Sequence, residues 1–155
     1  LADAVVQHDM DARPLFPRFT LPALNQDQLR PQPTWFHWAK TALQEAHGAS
    51  ELDGFARPRS GLIATGDRFI GDPAVLQTLR DALPNLLAVE MEGAAVAQVA
   101  EQEGVPWLVL RVISDGADEA AAQSFEDFVK RYEEKAWRLI EALLQRCNDT
   151  PQRCA

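Results

Sequence analysis

Three short runs in this chain carry residue types that could do acid–base chemistry on a small polar ligand. They are Gly66-Asp67-Arg68-Phe69-Ile70, Glu90-Met91-Glu92 and Ser114-Asp115-Gly116-Ala117-Asp118. Each holds at least one carboxylate, and two add large apolar side chains. An acidic rim with apolar patches suits a neutral polar molecule with one flat apolar part, as a nucleoside has. Breaking a glycosidic bond needs carboxylates. Positive charge builds on the sugar in an oxocarbenium-like transition state, one acid protonates the leaving group, and another group activates water on the opposite face. For an adenine leaving group the proton goes to a ring nitrogen, and a carboxylic acid kept protonated by burial can supply it.

Each of these residues also has an ordinary reading. Asp67 follows Gly66 and Asp115 precedes Gly116, and Asp is a common turn residue. Glu90 and Glu92 stand just before a helical pattern, where negative charge stabilises a helix N-terminus by about 0.3–1 kcal/mol. Phe69, Ile70 and Met91 would be core residues in most proteins. Phe125 opens a helix, where it would serve as a hydrophobic staple.

Other chemistries lack their residues. The sequence has no G-x-G-x-x-G, no G-x-x-x-x-G-K-[ST] and no G-x-S-x-G, so it carries no dinucleotide fingerprint, P-loop or nucleophile elbow. His8, His37 and His47 do not cluster as metal ligands, and the last two fall on a helical pattern and read as surface residues. Cys147 and Cys154 lie together near the end of the chain with no zinc spacing. They read as free thiols in a reducing cytosol. We expect no metal and no cofactor.

The elements that position the three runs follow from periodicity. The proline-spaced stretch Pro14, Pro17, Pro22, Pro31, Pro33 makes residues 1–34 irregular, with Ala4-Val5-Val6 ending a strand. Residues 35–47 have one apolar helical face, and Gly48 stops it. Residues 61–65 form a strand. A helix follows, with Asp72 as N-cap, Pro73 at its first position and Leu76, Leu79 and Leu83 inward. Leu86–Val89 is the next strand, and a helix from Gly93 to Gly104 comes after it. Val105–Ile113, apolar nearly throughout, reads as a third strand covered on both faces. A long helix over 124–146 has Ser124 as N-cap and Phe128, Tyr132, Ala136, Leu139, Ile140, Leu143 and Leu144 on its apolar stripe. The tail 147–155 is polar.

This alternation predicts a three-layer αβα fold around a mostly parallel or mixed sheet, with right-handed crossovers. Ligands bind such sheets beyond the carboxyl ends of the strands, where all three runs fall. The chain has 155 residues, 46% hydrophobic and 25% charged, with net charge -8. That length and composition fit one globular domain with a sizeable core. The acidic balance disfavours nucleic acid as a partner, and no apolar run reaches the ~18–20 residues that cross a bilayer.

Taken together and in order, the runs from Thr65 to Ile70, Ala88 to Glu92 and Arg111 to Asp118 resemble the 5′-methylthioadenosine/S-adenosylhomocysteine nucleosidases of the nucleoside phosphorylase superfamily. The match covers residues 60–145 and extends more loosely to Gln7-His8-Asp9-Met10-Asp11. The resemblance implies a cytoplasmic homodimer of nucleoside phosphorylase-like fold. It would release adenine from methylthioadenosine and S-adenosylhomocysteine in methionine salvage and S-adenosylmethionine recycling. It assigns Asp115 as the acid for adenine N7, held by Ser114. Glu92 would bind the ribose hydroxyls and Met91 would pack under the sugar. Phe69 would stack on the base, the Ile70 backbone would read its edge, and Phe125 would line the 5′-alkylthio pocket. Glu90 and Arg111 support the site. The loop Asp9–Phe16, with the apolar stretch Leu15, Phe16, Phe19, Leu21, would lie at the dimer interface.

Gly116 to Ser124 contains no Lys or Arg, which favours the hydrolase branch over the phosphorylases. The family's front half, with its water-activating glutamate, has no match here. This chain then reads as the C-terminal portion of the domain, incomplete and inactive alone, with the N-terminal half possible as a separate chain. The competing readings are a purine nucleoside phosphorylase, another purine nucleosidase, and a non-catalytic adenine-nucleoside-binding module.

Overall fold

The computed structural model describes residues 1–116, 128, 129, 132, 136–149 and 151. Three strands, β1 (Ala2–Gln7), β2 (Gly61–Thr65) and β3 (Leu86–Glu90), form a parallel sheet in the order β1-β2-β3. Parallel neighbours need crossovers. Helix α1 (Pro33–Gly48) lies in the first connection and α2 (Pro73–Ala82) in the second, and α3 (Gly93–Gln102) follows β3.

Side chains of each strand alternate between the two faces of the sheet. On one face Val5, Ile63 and Ala88 pack with Ala94 and Ala97 of α3. On the other, Ala4, Val6, Leu62 and Ala64 pack with Leu83, which caps α2. Leu76 and Leu79 of α2 pack near Ile70, against Leu86 and Val89. The result is the expected three-layer αβα arrangement. A shift in register between Ala2 and Ala4 turns Ala2 to the same face as Val5.

Local signals place the helices. Asp72 accepts a hydrogen bond from Ala74 N at 2.8 Å and Pro73 occupies the first position of α2, satisfying an amide that the helix itself cannot. Gly104 follows α3 at φ +63, a backbone conformation that side chains resist.

Four expectations need correction. The irregular region begins at His8, because Ala2–Gln7 is a complete strand pairing with β2. Val105–Ile113 is not a strand. Its side chains do alternate, Trp107 and Val109 joining the α3 side and Leu108, Leu110 and Val112 the α1 side. Among the described residues, however, the one backbone hydrogen bond tying it to a strand runs from Ala2 N to Val109 O, at 2.9 Å. The outer edge of β1 is already taken further on, where Val5 and Leu29 exchange two backbone hydrogen bonds of 2.9 Å. A ladder along that edge therefore has no free partner.

The final helix is described as α4 (Ala136–Leu144), while Ser124 and Phe125 lie outside the described residues. Its buried stripe is narrower than predicted. Leu139 and Ala142 pack with Ala39, Leu43 and Ala46 of α1, but Ile140 and Leu144 are 58% and 63% exposed. Leu21 is also a core residue, not a surface one, and Phe16 and Phe19 are half-buried. Leu15 alone of that stretch is exposed. The described part of the tail is a short 3-10 turn, Cys147–Asp149, and Cys154 is outside the described residues. Among the described residues no helix is long and apolar enough to cross a membrane.

Candidate functional site

Strand register brings the carboxyl ends into one row. Gln7 pairs with Thr65, and Thr65 pairs with Glu90. Ladder-type bonds continue one residue past the strands: His8 N donates to Thr65 O at 2.9 Å and Gly66 N to Glu90 O at 3.1 Å. Beyond this row β2 and β3 turn into the first two chemistry-bearing runs, while Ser114-Asp115-Gly116 follows the Val105–Ile113 segment.

Glu90 is the hub. Its side chain is 5% exposed, and a buried carboxylate persists only when its oxygens are satisfied. Thr65 Oγ1 donates to its Oε1. Gly93 N reaches both oxygens at 2.9 and 2.8 Å, and Glu92 N reaches Oε2 at 3.2 Å. Arg111 Nε stands 3.4 Å from Oε2. Glu92 starts α3 without a side-chain cap of its own, so Glu90 serves as the anion at that helix N-terminus. The helix-terminal reading and the supporting reading of Glu90 describe the same contacts.

Glu92 is different. Its side chain is 62% exposed and pairs at 2.9 Å with Arg111 Nη2. One guanidinium thus ties the buried carboxylate to the exposed one. Gly93 is needed here, because a Cβ would stand 2.9 Å from Val109 Cγ1 and 3.2 Å from the Glu90 oxygens. The close packing expected at the start of α3 is therefore against the Val105–Ile113 segment.

A cavity of about 710 Å³ opens along this edge. Its walls include Phe69, Ile70, Met91, Glu90, Glu92, Arg111, Ser114 and Asp115. Eight of the nine inferred residues, the supporting pair Glu90 and Arg111 among them, thus line one cavity, and Phe125 is outside the described residues. Phe69 is 51% exposed and Met91 41%. Large apolar side chains left open beside carboxylates fit a ligand-facing role better than the core role their type suggests. Ile70 is buried at 6%, its side chain in the α2 cluster, which leaves its backbone for recognition.

Ser114 Oγ donates to Asp115 Oδ2 at 2.6 Å, and this fixes the carboxyl's orientation. Asp67 is exposed. Its backbone N donates to Asp9 Oδ2 at 2.9 Å, so the turn reading of Asp67 fits.

Chemically, the cavity presents the carboxyl groups of Asp115, Glu90 and Glu92 together with the exposed aromatic face of Phe69. Such an acidic lining favours developing positive charge. Among the described residues no three His, Cys, Asp or Glu side chains stand together to hold a metal ion.

Sequence reasoning gave Thr65 no role. Its hydroxyl donates to Glu90 and accepts from Ala94 N at 2.7 Å, joining β2 to α3. A buried Thr directly before Gly66 was the available signal, but its partner depends on strand register. His8 was likewise read only as a non-ligand.

The chain belongs to the phosphorylase superfamily, whose family model matches residues 1–145. It is 34% identical over 145 residues to a 5′-methylthioadenosine/S-adenosylhomocysteine nucleosidase of Marinomonas sp. (strain MWYL1), covering 94% of this chain and 60% of that protein. It superposes on S-adenosylhomocysteine nucleosidase from Streptococcus pyogenes in complex with 5-methylthiotubericidin, with TM-score 0.80, 31% identity, and coverage of 97% and 59%. Futalosine hydrolase of Helicobacter pylori strain 26695 matches with TM-score 0.79, 31% identity, and coverage of 93% and 58%. The chain thus spans 58–60% of the length of these relatives.

Proposed function

From membership of the phosphorylase superfamily, we propose that this protein hydrolyses the N-glycosidic bond of 5′-methylthioadenosine and S-adenosylhomocysteine. It would release adenine and the 5-thio-ribose product, in methionine salvage and S-adenosylmethionine recycling. The observation that carries the reading is the Ser114–Asp115 hydrogen bond of 2.6 Å in a cavity that also presents Phe69, Met91 and Glu92. Asp115 protonates adenine N7 as the glycosidic bond lengthens, and Ser114 holds it in line. Phe69 stacks on the base and the Ile70 backbone reads its edge. Met91 packs under the ribose, Glu92 accepts from its hydroxyls, and Phe125 lines the 5′ pocket. Glu90 and Arg111 hold Glu92 and the start of α3 in place.

Water activation needs a group on the opposite face of the sugar. Among the described residues of the cavity, Glu90 is engaged by amides and Arg111, Glu92 by Arg111, and Asp115 by Ser114. The water-activating group therefore comes from a part of the fold beyond these residues, and the 155-residue chain by itself is inactive. The protein works as a cytoplasmic homodimer, with the exposed Leu15 loop at its interface.

The absence of Lys and Arg from Gly116 to Ser124 supports hydrolysis over phosphorolysis. Similarity to a futalosine hydrolase favours a second reading, a nucleosidase for another purine compound. Adenine release from methylthioadenosine in phosphate-free buffer, with chain masses checked, tests the proposal. Release establishes the hydrolase. Release only on adding phosphate means a phosphorylase. Silence toward methylthioadenosine with turnover of another purine nucleoside selects the second reading, and silence toward all of them with both halves present leaves a binding module.

A further inference from the structure

The turn from Gly66 to Ile70 carries Phe69 into the cavity and is held at both ends. At its start Gly66 N bonds to Glu90 O, and Asp67 N bonds to Asp9 Oδ2. At its end Ile70 is sunk against Leu76 and Leu79. Phe69 stands between these anchors, half exposed. The His8 ring makes a further contact. A Cβ on Gly66 would fall inside the van der Waals shell of His8 Nε2 and Cε1, and would stand 3.0 Å from Asp9 Oδ2. The ring therefore lies directly against a bare backbone carbon.

His8 is 7% exposed, and among the described residues its buried Nε2 has no hydrogen-bond partner. Leaving such a nitrogen unsatisfied costs about 1–3 kcal/mol. A buried polar atom that the nucleosidase reading does not use calls for a function of its own.

We propose that His8 is a positioning residue, a flat wedge whose contact with Gly66 sets where the Gly66–Ile70 turn delivers Phe69. The inference rests on the nucleosidase reading for its effect on substrate, but its mechanical part does not. The wedge works as a neutral ring. Burial holds its pKa below the usual 6.5, against the pull of Asp9 and Glu90, while Arg18 adds to the lowering. Protonation would place a cation with an unsatisfied N–H against the Gly66 backbone.

The test uses His8→Ala, His8→Phe, Gly66→Ala and the His8→Ala/Gly66→Ala double variant in the full protein. Two quantities are read: steady-state constants for methylthioadenosine, and hydrogen exchange of the residue 66–70 amides relative to those of α2. His8→Ala should raise KM about tenfold with a smaller change in kcat, since the base platform is displaced while the acid is not. It should also speed exchange in 66–70 and leave α2 unchanged. Gly66→Ala should do the same from the other side of the contact. His8→Phe keeps a planar ring and should stay near wild type. The double variant should recover part of the loss, because the new methyl fills the space the imidazole left.

Wild-type KM and exchange in His8→Ala would overturn the proposal, as would a His8→Phe protein impaired as badly as His8→Ala. If the wild type turns over no methylthioadenosine, the nucleosidase reading fails. The exchange comparison then decides the wedge without it.

Discussion

The cavity is built from two unlike regions. Its floor is the row of strand ends, where Thr65, Gly66, Glu90, Gly93 and Ala94 are joined by at least five hydrogen bonds and Glu90 is almost wholly buried. Its wall is the run Arg111–Gly116, from which Arg111 pairs with Glu90 of the floor at 3.4 Å and with Glu92 of the rim at 2.9 Å. The floor is specified by ladder geometry and satisfied amides, and so resists change. The wall carries the proposed acid, whose Oδ2 accepts a 2.6 Å hydrogen bond from the adjacent Ser114. Stability and chemistry are therefore assigned to different parts of one site, so substitutions should separate them.

The largest separation is expected at the wall. With the front half of the fold present, Asp115→Asn should cut adenine release by about a thousandfold, the scale of a lost general acid. Thermal unfolding and adenine affinity should stay close to wild type. A matching drop in melting temperature would mean the wall is structural. Next comes the floor: Glu90→Ala should cost about 3 kcal/mol in urea unfolding, because it strands Gly93 N, Thr65 Oγ1 and Arg111 around a vacated buried site. Unfolding free energy within experimental error of wild type would remove the hub role.

Glu92 lies two residues away and sharpens the contrast. Its pair with Arg111 is solvent-exposed, so Glu92→Ala should change stability by less than about 1 kcal/mol. Nucleoside affinity, measured by calorimetry, should still fall about tenfold if Glu92 accepts the ribose hydroxyls. Equal losses at Glu90 and Glu92 in both assays would erase the distinction between floor and rim.

The smallest effect concerns pH. The folded pKa of His8 lies below 6.5, so the unfolded chain takes up the proton first as pH falls. The His8 contribution is present above about 6.5 and is lost as pH drops through that value toward the folded pKa. Subtracting the stability–pH curve of His8→Phe from that of wild type should isolate this loss. A flat difference would show that burial does not tune the ring.

The sequence resolves these regions unequally, for physical reasons. β2, β3 and α2 were legible because their signals are local: an apolar run bounded by Gly61 and Gly66, and an Asp72-Pro73 start. Val105–Ile113 has the side-chain pattern of a strand, but a strand also needs a free neighbouring edge, and no sequence pattern shows that Leu29 occupies it. Ile140 and Leu144 were misread for a similar reason. Periodicity marks an apolar face but not how much of it a neighbour covers. Asp115, Glu92 and Met91, which line the cavity, were singled out by the family resemblance of runs in order along the chain. Thr65 and His8 were not given roles, since their contacts arise from register and close packing between distant segments.

Co-crystallisation with adenine tests the central claim most directly. The base should stack on Phe69, with its edge bonded to the Ile70 backbone and its N7 within hydrogen-bond reach of Asp115. Adenine bound elsewhere, or bound in this cavity with Asp115 turned away from N7, would contradict that claim.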